Sequence, residues 1–320
     1  MVSFSDITAA AERLVPFITR TPLLESPRLN ARLGGRLLVK AESLQKTGSF
    51  KFRGATNRIS QLTPQERAAG VVAWSSGNHA QGVALAAMLH HVPATIVMPE
   101  DAPQVKINNT SSYGAEVVLY DRYGESREEI GTRIAREKGA IIVPPFDDPH
   151  IIAGQGTVGL ELAVQAQEQG ITLDDVVICF SGGGLSAGCA VALAALSPAA
   201  KLWVAEPTGF DDAGRSLRAG HPLQNAPGGK SICDALLQPT PGALTFPILS
   251  ASGAGGVSAS DEEALAAMKT AFEEFKLVLE PGGAIALACA LSGRLDIKGR
   301  TICAVATGGN VDTDLFKQCL

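Results

Sequence analysis

Lys51 stands between two aromatic residues in the run Ser49-Phe50-Lys51-Phe52-Arg53-Gly54-Ala55. Aromatic neighbours strip water from an ammonium group, and desolvation favours the neutral amine. A neutral lysine amine is a nucleophile that forms a Schiff base with an aldehyde. Ser49 has the residue type of a helix N-cap, which would start a helix near Phe50 and fix the direction of Lys51. Taken alone, the heptapeptide equally fits an ordinary amphipathic helix whose lysine reaches out to water.

Three further stretches suit small anions and ring atoms. Ser181-Gly182-Gly183-Gly184-Leu185-Ser186-Ala187 joins a strand-like run to a helical one. Its glycines let backbone N–H groups approach an anion at a helix N-terminus, the arrangement of a phosphate cradle. Gly182, Gly184 and Ala187 also satisfy the loose dinucleotide-binding pattern, with Glu206 placed as its acid, so an NAD-binding oxidoreductase competes at this point. Ser75-Ser76-Gly77-Asn78-His79 offers hydroxyls, an amide and N–H groups that would hold a carboxylate. Thr307-Gly308-Gly309-Asn310 follows the last strand-like run and presents a hydroxyl suited to a ring nitrogen.

Such groups need a framework that gathers distant stretches. Val71 to Trp74, Ala94 to Met98, Glu116 to Tyr120 and Ile141 to Val143 read as strands. Helices read between them at Asn78 to His91, Pro103 to Tyr113 and Glu125 to Lys138. Leu37 to Lys40 reads as a short strand, and a helix resumes from Ile151 to Gln169. A second series runs through Val176 to Phe180, Leu202 to Ala205 and Thr301 to Ala306, with helices at Asp261 to Phe275 and Gly282 to Leu291. Strands and helices alternating at this spacing predict an α/β fold of two lobes, with open parallel sheets flanked by helices. Ligands of such sheets bind in the cleft. Pro144-Pro145 and Asp147-Asp148-Pro149 break the pattern and mark a domain boundary.

Composition narrows the partners. Lys plus Arg is 27 and Asp plus Glu is 32, so the net charge is 27 − 32 = −5, and no basic block favours nucleic acid or an anionic membrane. Cys179, Cys189, Cys233, Cys289, Cys303 and Cys319 are scattered, without metal-ligand spacing. They read as reduced core residues of a cytoplasmic protein. Met1 to Arg20 lacks the apolar stretch of a signal peptide. Val176 to Ala200 is uncharged and long enough to span a bilayer, but its triple glycine reads better as strand, turn and helix.

The four stretches together, in this order, resemble the fold-type II pyridoxal-phosphate enzymes, in the branch of threonine/serine dehydratases and serine racemases. The resemblance covers nearly the whole chain. It implies that Lys51 holds pyridoxal 5'-phosphate, that Phe50 packs near the ring, and that Gly182, Gly183, Gly184 and Leu185 bind the phosphate. Asn78 would bond the ring hydroxyl and Thr307 the pyridine nitrogen. Ser75, Ser76, Asn78 and His79 would take the substrate carboxylate, with Ser76 also the acid/base facing Lys51 that racemisation requires. Glu206, the Phe210 carbonyl and Asp212 are similar to the racemase's divalent-cation loop, suited to Mg2+ or Ca2+. Arg127 aligns with an arginine at the far end of the ligand site, where a second carboxylate such as that of 3-hydroxyaspartate would lie. Ser231-Ile232-Cys233-Asp234-Ala235-Leu236 departs from the family pattern with bulkier residues near the ring. The resemblance further implies a homodimer and a large domain of residues 1–63 and 148–320 around a small mobile one of 64–147. The expected activity is an ammonia-releasing dehydratase acting on threonine, serine or 3-hydroxyaspartate, with amino-acid racemisation as the alternative.

Overall fold

The computed structural model describes residues 1–75, 77–102 and 104–320. In chain order the elements begin with α1 (Phe4–Leu14), β1 (Leu23–Glu25), α2 (Pro27–Leu33), β2 (Arg36–Ala41), α3 (Lys51–Ser60) and α4 (Pro64–Ala69). They continue through β3 (Val71–Trp74), α5 (Asn78–Leu89), β4 (Ala94–Pro99), α6 (Gln104–Ser112), β5 (Glu116–Tyr120), α7 (Arg127–Lys138) and β6 (Ile141–Ile142). Then come α8 (Pro149–Glu168), β7 (Asp175–Cys179), α9 (Gly184–Leu196), β8 (Lys201–Pro207), α10 (Asp212–Ala219) and α11 (Thr245–Ala251). The last are β9 (Gly255–Ala259), α12 (Asp261–Thr270), α13 (Pro281–Leu291), β10 (Thr301–Ala306) and α14 (Thr313–Cys319).

The strands form two sheets. One has the order β1-β2-β10-β7-β8-β9 and is parallel except for its β1–β2 edge; the other is all parallel, in the order β5-β4-β3-β6. The α/β expectation with parallel sheets is met. The larger sheet is covered on both faces, as its apolar strands require. Ile302, Ala304 and Ala306 of β10 pack toward α12 and α13, while Cys303 and Val305 face the core shared with α1, α8 and α9. All six cysteines are free thiols and buried. Among the described residues no helix is long and apolar enough to cross a membrane; the uncharged run from Val176 divides into β7, turn and α9.

Helices α8 and α9 pack backbone to backbone. A Cβ on Gly188 would lie 2.3 Å from the Ile152 carbonyl oxygen and 2.6 Å from Gly156 Cα, and one on Gly159 would lie 2.8 Å from Cys189 Cα. Side chains at these positions would force the two helices apart.

One local expectation needs correction, and two stretches gain detail. Ser49 does not cap α3: Phe50 holds the N-cap position without a side-chain bond, and Ser49 Oγ is buried without a hydrogen-bond partner. The Asp147-Asp148-Pro149 break is a helix start, since Asp148 accepts from the His150 and Ile151 N–H groups and Pro149 occupies the first turn. Strand β9 was hidden by its glycines, which are there for close approach. A Cβ on Gly255 would meet the Trp203 ring at 2.5 Å, and one on Gly256 would meet Gly214 Cα at 2.3 Å. Pro103, expected to open α6, lies outside the described residues.

Candidate active site

Strands β10 and β7 are neighbours, so the turns that leave their carboxyl ends, at Thr307 and Ser181, emerge side by side. The β3 turn at Ser75 comes from the other sheet. The start of α3 is laced to β10 by main chain. Phe50 N–H donates to the Thr307 carbonyl at 3.2 Å, Gly309 N–H donates to the Gly48 carbonyl at 2.9 Å, and Ser49 bridges Gly308. These contacts bring all four stretches onto one cavity of about 710 Å³. Ser76 lies outside the described residues, so its expected place opposite Lys51 is neither met nor missed.

Lys51 sits on the cavity wall. Its Nζ donates to the Pro145 carbonyl at 2.8 Å and lies 5.1 Å from the centroid of the Phe50 ring. Burial lowers its pKa to about 8, only slightly offset by the Cys179 thiol. The amine is therefore partly neutral near physiological pH, as a nucleophile or base requires.

Next but one to Lys51 in the chain, Arg53 anchors α3 from within. Its fully buried guanidinium donates to both Glu42 oxygens, at 2.7 and 2.8 Å, and to both Glu161 oxygens, at 2.8 and 2.9 Å. Lys40, also fully buried, donates to Glu161, Gln165 and the Thr21 carbonyl. Burial pushes the Glu161 carboxyl up, but Arg53 and Lys40 overcome that push and hold it below its ordinary value. Two cations and two carboxylates thus close on one another and tie α3, α8 and β2 together. Nothing in the local sequence signalled this network beyond the charges themselves.

The β7–α9 turn has the form of an anion cradle. Gly183 takes φ 91°, and α9 begins without a side-chain cap, so its first N–H groups have no side chain to satisfy them. Cβ atoms on Gly182 and Gly184 would collide with the Phe146 ring and with Gln155 Oε1, at 2.3 and 2.5 Å. The Gly182 carbonyl accepts from Thr245 Oγ1 at 2.6 Å and from Gly242 N–H at 3.2 Å, which steadies the loop.

Thr307 is almost fully buried, its Oγ1 3.3 Å from Cys179 Sγ. Asn78 is fixed at both ends of its amide: Nδ2 donates to Glu280 Oε1 at 2.5 Å, and Oδ1 accepts from Asn310 Nδ2 at 2.7 Å. His79 lies 2.8 Å from the Val143 carbonyl through Nε2. A carbonyl only accepts, so Nε2 carries the proton. Burial, then the Lys51 charge, lowers its pKa to about 3 and keeps the ring neutral.

A family model described as pyridoxal-phosphate dependent enzyme matches residues 14–308. The chain belongs to that family. It is 40% identical to an L-threo-3-hydroxyaspartate ammonia-lyase of Saccharomyces cerevisiae, over 97% of this chain and 94% of that protein. It is 37% identical to a serine racemase of Schizosaccharomyces pombe, over 99% and 97%. Among solved structures, a maize serine racemase superposes with a TM-score of 0.93 at 38% identity, covering 99% of this chain and 96% of that one.

The residues present fit the family's cofactor. A buried amine, a glycine cradle that side chains would fill, an uncapped helix start and a buried hydroxyl border the same cavity. An NAD-binding oxidoreductase would have no use for Lys51 among these groups.

The loop expected to take a cation is less complete. Glu206 accepts from the Ala213 and Gly214 N–H groups at 2.8 Å each, and Asp212 Oδ1 accepts from Asn225 Nδ2 at 2.6 Å. Asp212 Oδ2 is buried and has no hydrogen-bond partner. Burial raises Glu206 to about 8 and Asp212 to about 6, and neighbouring acids add to the push. Among the described residues no three acidic, histidine or cysteine side chains gather at one point, so a cation here would rely on main-chain oxygen and water besides the two carboxylates. Phe210 is buried beside them in the same loop.

Arg127 reaches the cavity rim but is 42% exposed and pairs with Glu128 at 2.8 Å. Arg122, beside it, pairs with Asp101. Lys106, which sequence reading passed over, lines the same rim at 18% exposure and faces Asp234 at 3.7 Å. In the stretch that departs from the family pattern, Ala235 and Leu236 line the cavity, while Cys233 is buried behind them. Glu280 also lines the cavity and was not among the residues expected there.

Proposed function

We propose that this chain is a pyridoxal-phosphate-dependent ammonia-lyase that converts a small β-hydroxy amino acid into a 2-oxo acid and ammonia. L-threo-3-hydroxyaspartate is the leading substrate, with threonine and serine behind it. The observation that carries this reading is the buried, partly neutral Lys51 amine on the same cavity as the glycine cradle of α9. When bound, pyridoxal phosphate supplies an electron sink for the pair released at the substrate's α-carbon.

The chain's own residues have these roles. The N–H groups of Gly182, Gly183, Gly184 and Leu185 hold the phosphate, Phe50 packs by the ring, Asn78 bonds the ring hydroxyl and Thr307 bonds the ring nitrogen. A neutral threonine at that nitrogen leaves it largely unprotonated and favours elimination. Lys51 Nζ takes the α-proton, and the cavity walls exclude water from that transfer. Ser75, Ser76, Asn78 and His79 hold the substrate carboxylate, Asn78 and His79 through their main chain because the Asn78 amide is committed to Glu280, Asn310 and the ring hydroxyl and the His79 ring to Val143. The rim cations Lys106, Arg122 and Arg127 favour a substrate with a second carboxylate, and the yeast relative's activity supports that choice.

Glu206, Asp212 and the Phe210 carbonyl hold Mg2+ or Ca2+, a reading supported by the unpartnered Asp212 Oδ2. Racemisation is the second reading, with Ser76 as its additional acid/base; the 37% identity to a serine racemase favours keeping it. The division into 1–63 with 148–320 and 64–147 follows the two sheets. Buried free thiols suit a cytoplasmic protein, and a homodimer is expected from the resemblance.

The test is a panel of hydroxy amino acids assayed for 2-oxo acid and for the D-isomer, with wild type and Lys51→Ala. Wild type should be yellow and release oxaloacetate from 3-hydroxyaspartate; Lys51→Ala should lose the lysine-linked absorption and turnover. A colourless wild-type protein that binds NAD overturns the assignment.

A further inference from the structure

We propose that Glu280 is a positioning residue: its carboxylate locks the Asn78 amide so that one Nδ2–H is left for the cavity. The proposal rests on the functional reading above, in which that N–H meets the ring hydroxyl.

An amide offers two N–H donors on nitrogen and two acceptor sites on oxygen. Asn310 Nδ2 donates to Asn78 Oδ1 and also to the Thr47 carbonyl, both at 2.7 Å, so the oxygen end has a donor of its own. A carboxylate only accepts, so its contact with Glu280 Oε1 fixes which end of the Asn78 amide is nitrogen. One Nδ2–H is then used and one remains, on a side chain that borders the cavity.

The surroundings are shaped for this carboxylate. A Cβ on Gly308 would lie 2.0 Å from Glu280 Oε1 and 3.0 Å from Asn78 Nδ2. The Glu280 N–H donates to the Gly308 carbonyl at 3.1 Å, which holds the start of α13 against the same glycine. Gly308 therefore makes room for the Glu280–Asn78 pair as well as turning the chain.

Glu280 is 5% exposed and makes no salt bridge among the described residues. The charged or titratable groups facing it are Asp234 across the cavity rim, Lys106 of α6 and Cys179 of β7. Burial, reinforced by Asp234 and opposed by Asn78 and Lys106, raises its pKa to about 7. Above that pH Glu280 accepts from Asn78. Below it, one oxygen carries a proton and the contact loses its charge, so the lock on Asn78 weakens.

The experiment is a pH titration of the bound cofactor's absorption from pH 5.5 to 9, with pyridoxal-phosphate affinity, in wild type, Glu280→Gln, Glu280→Asp and Asn310→Ala. A wild-type spectral transition near pH 7 that vanishes in Glu280→Gln is expected. Its affinity should fall about 10-fold, the size of one hydrogen bond to a charged group. Glu280→Asp should keep a transition at a shifted midpoint, which a merely structural role would not produce. Asn310→Ala frees the other end of the amide and should weaken affinity in the same direction, so the proposal stays open to test even if Glu280→Gln fails to fold. An unchanged titration and affinity in Glu280→Gln, or, where that variant does not fold, an unshifted transition in Glu280→Asp together with unchanged affinity in Asn310→Ala, overturns the proposal. A wild type that takes up no cofactor overturns the functional reading, and this proposal with it.

Discussion

Two sets of buried carboxylates behave in opposite ways. Glu42 and Glu161 meet Arg53 and Lys40 in a closed network, and every charge has a partner within 2.9 Å. Glu206, Asp212 and Glu280 are also buried, yet none has a salt-bridge partner among the described residues, and burial raises all three. The first set has spent its charge on holding the helix that carries Lys51. The second is pushed toward the neutral form and has no cation beside it, so a proton or an incoming ligand has to balance its charge.

The sharpest way to break this contrast is at Arg53. Arg53→Leu leaves Glu42 buried without a cation and Glu161 with Lys40 alone, and should cost about 3–5 kcal/mol, measured by urea unfolding. Arg53→Lys should recover only part of that loss, because an ammonium cannot reproduce two bidentate contacts. A cost below about 1 kcal/mol would mean that the network does not anchor α3.

The second set should respond to cations and to pH. Saturating Mg2+ or Ca2+ at about 100 times its Kd should stabilise the protein by about 2.7 kcal/mol, and Asp212→Asn should abolish the effect. The sign with pH follows from the raised acids. Without cation, their stabilising contribution is complete below the ordinary carboxylate range. It is lost as pH rises through about 6 for Asp212 and about 8 for Glu206. Added cation should therefore raise the melting temperature more at pH 8 than at pH 5.5. An equal rise at both would separate these carboxylates from the cation site.

The smallest effect is expected at the rim. Arg127 lies on the cavity rim, and its exposure and its Glu128 contact limit any hold on a second carboxylate to about 1 kcal/mol. Arg127→Ala should change the preference for 3-hydroxyaspartate over threonine, as kcat/KM, by less than about 5-fold. A loss of about 100-fold would show that the rim closes over the substrate and buries the arginine.

The parts legible in the sequence were those whose chemistry is local. A strand, a glycine-rich turn and a helix start lie within a dozen residues, so Lys51, the α9 cradle and the Thr307 turn could be read directly. Long-range pairings could not. Glu280 and Asn78 are 202 residues apart, and Arg53 and Glu161 are 108 apart. Ser49 misled because its residue type is that of a cap, whereas main-chain bonds to the end of β10 fix the start of α3. His79 lies in the right turn, but its ring was claimed by Val143, a residue whose carbonyl leaves no mark in the sequence pattern.

The contact between α8 and α9 has a consequence for the order in which the molecule opens. With Gly156 against Gly188 and Gly159 against Cys189, neither helix can tilt without its backbone striking the other. One carries Glu161 and the other begins at the glycine cradle, so the two open as a single cooperative unit or not at all. In deuterated water their central amides should exchange last and together, at the rate of global unfolding, while those of the two-residue strand β6 exchange early.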